Sequence, residues 1–389
     1  MHTGRLVFAQ LLDFLPRHDF NACVRRYRGN YRTRGFSCFD QFLSMAFAQL
    51  TGRESLRDIE TCLRAMSGKL YHAGFRSTIS RSTLADADER RDWRIYADFA
   101  ATLIARARRL YAGEEFGVQL KETAYVLDST TIDLCLTLFP WARYRRGDAA
   151  VKLHTLMDLR GSIPCFVRVS NARMHDVEIL DEIAFQPGAF YIMDRGYISF
   201  HRLYRLSQSM AYFVIRSRNK VVHKRISYQA VDRSTGLRSD QVIRLSGMQT
   251  QDLYPAPLRR VVFFDAEKRR RFVFLTNHFT LPALTIAELY KRRWAVELFF
   301  KWIKQHLRIE AFFGTSPNAV KTQVWIAISI YVLVAVIRKE LKVERPLSEI
   351  LQILSICLFE QVPMRQVLTT SALQTPETAH RNSLSLFDL

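Results

Sequence analysis

The chain has 389 residues, 48% hydrophobic and 24% charged, an ordinary globular balance with material for two or three domains. Its 57 Lys and Arg against 37 Asp and Glu leave a net charge of +20, which points to a polyanionic partner, nucleic acid first among them. Six cysteines without a C-x-x-C pair exclude a zinc knuckle, give no disulfide framework, and suit a reduced, cytoplasmic setting.

Residues 1–115 read as all-helical. The opening, MHTGRLVFAQLL, lacks the apolar core and small-residue cleavage site of a secretion signal. Phe39 to Leu50 is apolar-periodic and stops at Thr51-Gly52. Ser55 has the place of an N-cap, with Asp58 three residues on. Ser80 to Asp92 fits the second helix of a helix-turn-helix, with Arg81, Ser82 and Thr83 at the end that would meet a DNA groove. A bundle that merely packs on the next domain is the competing reading. Trp93 to Tyr111 completes this segment as an amphipathic helix.

The character changes at Glu122. Thr123 to Leu127 is a short apolar run that delivers Asp128. Ala150 to Asp158 and Ile163 to Val169 read as strands joined at Gly161, an antiparallel meander. His154 alternates onto the strand face of Lys152 and could approach Asp128, although a half-buried structural histidine is the blander role. His175 to Ala184 reads as helix. Ala189 to Met193 is a buried strand ending in Asp194-Arg195-Gly196-Tyr197, and a helix (199–209) and strand (212–215) follow. Three strands, helix, strand, helix, strand is an α/β layer order that resembles a ribonuclease-H-like domain.

Residues 214–275 break the pattern. They are turn-rich and β-leaning, with 14 Lys or Arg against 5 Asp or Glu. Arg259-Arg260 and Lys268 to Arg271, including Arg270, flank the strand-like VVFFD. These cations are expected on hairpin edges, facing DNA, though a charge run is more often a solvated face.

Leu284 to Glu310 reads as one uninterrupted helix. At ~100° per residue, Tyr290, Arg293, Trp294, Glu297, Lys301, Lys304 and Arg308 share roughly one 100° arc, and the apolar residues, Leu298 among them, take the rest. One acid stands among cations, which suits a metal ligand beside a polyanion. A solvated face with a Glu297–Lys301 pair is the alternative. Val324 to Ile337 is a 14-residue apolar run, short for a bilayer and expected as a core helix. Residues 346–389 would form a C-terminal helical segment and, from Thr369, a disordered tail.

Tyr290, Arg293, Glu297 and Lys304 spell Y-x2-R-x3-E-x6-K. This resembles the YREK signature of the insertion-sequence-four family of hairpin-forming DDE transposases. The resemblance implies a ribonuclease-H-like core in two parts, 122–213 and 276–345, around the basic insertion 214–275. It implies that Asp128, Asp194 and Glu297 are the catalytic acids and hold Mg²⁺ or Mn²⁺, hard ions matched to carboxylate oxygens. Tyr290, Arg293 and Lys304 would hold phosphates near the DNA ends. Trp294 would stack on an extruded base or, equally, serve as a core tryptophan. The partners implied are double-stranded transposon ends and target DNA, on a homodimer in the synaptic complex. With no Walker A loop, no nucleotide cofactor is expected, and no membrane. A junction nuclease of the same fold and a non-enzymatic DNA-binding relic are the rival functions.

Overall fold

The computed structural model describes residues 4–217, 221–306 and 312–369. The helical run begins with α1 (Val7–Leu12), α2 (Arg17–Arg26), α3 (Cys38–Leu50), α4 (Leu56–Ala65), α5 (Ser67–Leu70), α6 (Arg81–Arg90) and α7 (Arg94–Tyr111). Serine side chains set three of the starts. Ser37 makes a reciprocal capping box with Asp40, while Ser55 and Ser80 accept from the backbone amides of Asp58 and Thr83. Each satisfies an amide that the first helical turn would leave open.

The sheet starts with β1 (Ala124–Leu134), β2 (Arg143–Arg145), β3 (Asp148–Asp158) and β4 (Ile163–Asn171). β1, β3 and β4 form the expected antiparallel meander. A short 3₁₀ helix over Asp176–Asp181 stands where a longer α-helix was expected. Then come β5 (Phe190–Met193), α8 (Phe200–Gln208) and β6 (Tyr212–Arg216). β5 runs parallel to both β1 and β6. The order β4-β3-β1-β5-β6, with this mix of directions, is a ribonuclease-H-like core.

Alternation decides which side of the sheet each residue meets. Ala124, Val126, Phe190 and Ile192 join the apolar layer that contains the N-terminal helices. Tyr125, Leu127, Tyr191 and Met193 join a second layer with Leu203 and Leu206 of α8.

The basic stretch does not stand apart from this sheet. It forms β7 (His223–Gln229), β8 (Leu237–Leu245), the short helix α9 (Thr250–Leu253), β9 (Leu258–Asp265) and β10 (Arg270–Thr276). β10 pairs with β6, and the order continues β6-β10-β9-β8-β7. One of its cations departs from expectation. Arg259 is 3% exposed and cannot face DNA. It lies on the inner side of β9, where its guanidinium gives two hydrogen bonds to Asp240 at 2.9 and 2.7 Å. A third goes to the Leu281 carbonyl at 2.5 Å. Such a buried pair is costly to break from one side, at about 3–5 kcal/mol. Arg259→Leu is therefore expected to lower the thermal midpoint by several degrees while leaving the salt dependence of DNA binding unchanged. A shallower salt slope at unchanged stability would return Arg259 to the DNA face.

The chain ends with α10 (Ala283–Lys291), α11 (Trp294–His306), α12 (Pro317–Glu340), α13 (Leu347–Cys357) and α14 (Met364–Thr369). The helix expected over 284–310 is thus two. Between them Ala295 and Val296 donate to Arg292 and Arg293, three residues back, the tighter 3₁₀ pattern. Leu307, Arg308 and Glu310 lie outside the described residues, as does the tail after Thr369. α12 has 24 residues, ten more than the apolar run that announced it. It is long and apolar enough to cross a membrane, yet its surface is taken up by α7, α3, α6 and β4. α13 and α14 return to the start of the chain. Val7 and Phe8 donate to the carbonyls of Glu360 and Leu358, and the Gln10 amide to Val362.

Candidate active site

Parity brings the two aspartates to one place. Leu127 pairs with Met193 across the parallel ladder, so Asp128 and Asp194, each one residue on, stand at the same level. Both follow residues of the second layer, so both side chains turn to the other face, where α11 packs on β1. Asp128 was expected just past the end of its strand, but β1 continues through it to Leu134. It is β5 that stops, and beyond Met193 the sheet opens beside Asp128.

The four signature residues converge on this edge. The Tyr290 hydroxyl donates to Asp194 Oδ1 at 3.0 Å. Arg293 Nη1 donates to Asp128 Oδ2 at 2.6 Å, and Nη2 donates to Glu297 Oε1. Lys304 Nζ reaches the Thr131 carbonyl on β1 at 2.8 Å. Glu297 therefore pairs with Arg293, four residues before it, and not with Lys301. Arg293 itself lies at the turn between α10 and α11.

Among the described residues, no three carboxylate, imidazole or thiolate side chains stand close enough together to hold one metal ion. The Arg293 guanidinium lies between Asp128 and Glu297 instead. The electrostatics still register three acids in one neighbourhood. Burial pushes the Asp128 carboxyl up to about 6, Arg293 and the Ser129 amide pull it down, and Glu297 and Asp194 push it up again. Burial also opposes the charge of Arg293, but Asp128, Tyr290 and Glu297 more than compensate and raise its pKa. Tyr290 is pushed up to about 12 by burial and by Asp194, and keeps its proton.

The remaining expected residues scatter. Trp294 is 57% exposed, which excludes the core role. With Arg270, Phe272 and Glu297 it lines a cleft of about 160 Å³ beside the acids. Leu298, assigned to the apolar side, is half exposed. Arg260 is half-buried next to Gln241. Arg81 is exposed at the first turn of α6, far along the chain from the acids. His154 is fully buried, hydrogen-bonded to Ser170 at 2.9 Å, and paired across from Ser129. It therefore lies on the opposite sheet face from Asp128 and does not approach the acids.

A second set of polar groups went unforeseen. Ser129 Oγ donates to Asp176 at 2.7 Å, and Lys152 Nζ lies 3.0 Å from the same carboxylate. Arg216 comes within 3.9 Å of Asp194. Their signal was present in the alternation, since Ser129 must face away from Asp128. The partner from the 3₁₀ turn had no pattern to announce it.

A ribonuclease-H-like sheet with two aspartates at one edge and a glutamate on a covering helix defines an enzyme of phosphodiester chemistry. The family model described as transposase DDE domain matches residues 119–333, and a domain of unknown function matches residues 3–76. A putative transposase of Sinorhizobium fredii is 32% identical over 72% of this chain and 77% of its own length. A probable transposase for insertion sequence element IS5377 of Geobacillus stearothermophilus is 33% identical over 54% of this chain and 55% of its own. A putative transposase for insertion sequence element IS4SA of Synechocystis is 23% identical over 81% and 87%. Among solved structures, a piggyBac transposase synaptic complex with hairpin DNA matches with a TM-score of 0.46 and 10% identity, over 94% of this chain and 80% of that one. The chain belongs to the DDE transposase family, and is a DNA transposase.

Proposed function

We propose that the protein binds the terminal inverted repeats of an insertion sequence, cuts the element free and joins its 3′ ends to target DNA, working as a homodimer on paired ends. The observation that carries this reading is the meeting of Tyr290, Arg293 and Lys304 with Asp128, Asp194 and Glu297 at one sheet edge. A general nuclease needs the acids but not the cationic and aromatic residues that surround them.

The donor set fits a hard divalent cation. Asp128 and Glu297 flank a place already taken by the Arg293 guanidinium, and Asp128 feels the charge of both Glu297 and Asp194. Asp128, Asp194 and Glu297 would hold Mg²⁺ or Mn²⁺, which would stabilise charge on the phosphodiester oxygens during hydrolysis and strand transfer. The protein's own groups do the rest. Tyr290 fixes one oxygen of Asp194. Arg293 leaves its two carboxylates and takes a DNA phosphate, for which its planar fork is suited. Lys304 sits beside β1 as a point charge for a neighbouring phosphate. Trp294, exposed over the cleft with Phe272, offers a ring on which an extruded base can stack. Hairpin formation at the flanking DNA is part of the same reading.

The test is a cleavage assay on a labelled duplex carrying the element's inverted repeat, in Mg²⁺, Mn²⁺ or EDTA, beside Glu297→Ala. Metal-dependent nicks at the 3′ end and hairpin products that vanish with the variant are expected. Binding without cleavage in either metal would instead indicate a DNA-binding relic. Cutting of branched or unrelated DNA without end preference would indicate a general nuclease.

A further inference from the structure

The helical segment carries an arginine cluster that the site above does not use. Arg25, Arg26, Arg28, Arg32 and Arg34 crowd the end of α2 and the loop to α3, and no acid lies between Asp19 and Asp40. Residues 1–115 hold 19 Lys and Arg and 13 Asp and Glu in all, so this loop contains nearly the whole excess. Arg26 pairs with Asp98. The other four have no carboxylate partner among the described residues.

A run of charge is usually a solvated face, but this loop is built. Gly29 is pressed into the core: a Cβ there would lie 2.5 Å from Ile95 and 2.6 Å from Cys38. Asn30 accepts from the Cys38 amide at 2.7 Å. On this pinned base Arg28 and Arg32 hold φ values of 53° and 55°, a left-handed backbone that side chains with a Cβ disfavour. The ring of Tyr31, 65% exposed, stands between them, with the two guanidinium carbons 5.7 and 5.2 Å from its centroid. The tyrosine face steers both cations through its quadrupole. A hollow of about 420 Å³ opens beside Tyr31, Arg25 and Arg28. By contrast α6, the helix expected to enter a groove, exposes Arg81 and Arg90 alongside Asp86 and Glu89, with Asp88 buried, so its surface carries no excess of cations for phosphates.

We propose that this loop, and not α6, is the DNA-backbone clamp of the helical segment, with Arg28, Arg32 and Arg34 on successive phosphates of duplex DNA. The inference rests on the transposase reading, which supplies the duplex. Phosphate contact has a signature that packing lacks, because each neutralised phosphate contributes about 0.9 to the slope of log affinity against log salt.

The experiment measures binding of the full chain to the inverted-repeat duplex across a salt series. It compares the wild type, Arg28→Asn/Arg32→Asn/Arg34→Gln, the matching triple Lys variant, and Arg81→Gln. Asparagine tolerates the left-handed backbone, so the first variant removes charge without altering the loop's path. Its slope is expected to fall by about 2–3 with roughly tenfold or greater loss of affinity at 0.1 M salt. The Lys variant and Arg81→Gln should stay near the wild type. Should the triple variant melt early, Arg34→Gln, at a residue of ordinary φ, carries the test with a slope change of about 0.9. An unchanged slope in the charge-removing variant, beside a wild type that binds and cleaves, would overturn the clamp and leave the transposase reading standing. A wild type that neither binds nor cleaves would overturn both.

Discussion

Asp128→Asn is expected to reduce cleavage of an end-bearing duplex by at least ~10²–10³-fold, the range for removing one electrostatic stabiliser of a transition state, while binding to that duplex persists. The amide keeps the shape of the carboxylate and can still accept from the Ser129 amide, now at 2.8 Å. It loses the charge with which, in the proposed function, it would hold a divalent cation. The same variant has a stability signature. Burial raises the Asp128 carboxyl to about 6, so between about pH 4 and 6 the folded chain holds a proton that the unfolded chain has released. Stability from this group is therefore complete below the ordinary carboxylate range and declines as pH rises through about 6. Asn does not titrate, so the difference in thermal midpoint between variant and wild type should change across that window and level off above it. Cleavage near the wild-type rate in both metals would remove Asp128 from the chemistry. Loss of binding together with cleavage would make its role structural.

Much of the site was legible because it rests on short-range rules. The runs before Asp128 and Asp194 are apolar and β-rich, and a period of two then fixes which face each aspartate takes. The helix signature is local as well: Tyr290, Arg293, Glu297 and Lys304 meet at one sheet edge, although the single helix expected to carry them is two. What escaped depends on partners distant in sequence. Arg259 reads as one more cation on a basic hairpin until Asp240 pairs with it across two strands. The stop between α10 and α11 contains neither Gly nor Pro. Arg293, at this stop, is held by Asp128 on the strand edge, a contact the local sequence does not announce. Likewise β1 runs on past Asp128 because β3 pairs with it as far as Leu134. The pinning of the Arg28 to Arg34 loop depends on Ile95, sixty residues away, and composition alone shows only a charged turn.

Arg293→Ala is the variant that separates the free protein from the working one. In the structure Arg293 is the counter-ion of Asp128 and Glu297, with side chains only 19–33% exposed for all three. Removing it leaves two half-buried carboxylates facing each other. Breaking a fully buried pair from one side costs about 3–5 kcal/mol, and partial exposure reduces that toward roughly 1–2 kcal/mol through solvent screening. The metal-free variant should melt several degrees below the wild type. Asp128 loses the charge that lowers its pKa, so its titration moves above about 6. Added Mn²⁺ should then raise the midpoint of the variant more than that of the wild type, since it no longer competes with a tethered guanidinium and stabilisation grows with affinity. Cleavage should nonetheless fall, because in the proposed function the same arginine takes a DNA phosphate. Stability lost without metal, a larger Mn²⁺ shift and weaker cleavage are expected together. An unchanged midpoint with equal Mn²⁺ shifts would mean that Arg293 does not occupy the place between the acids in solution, and that its only work is on DNA.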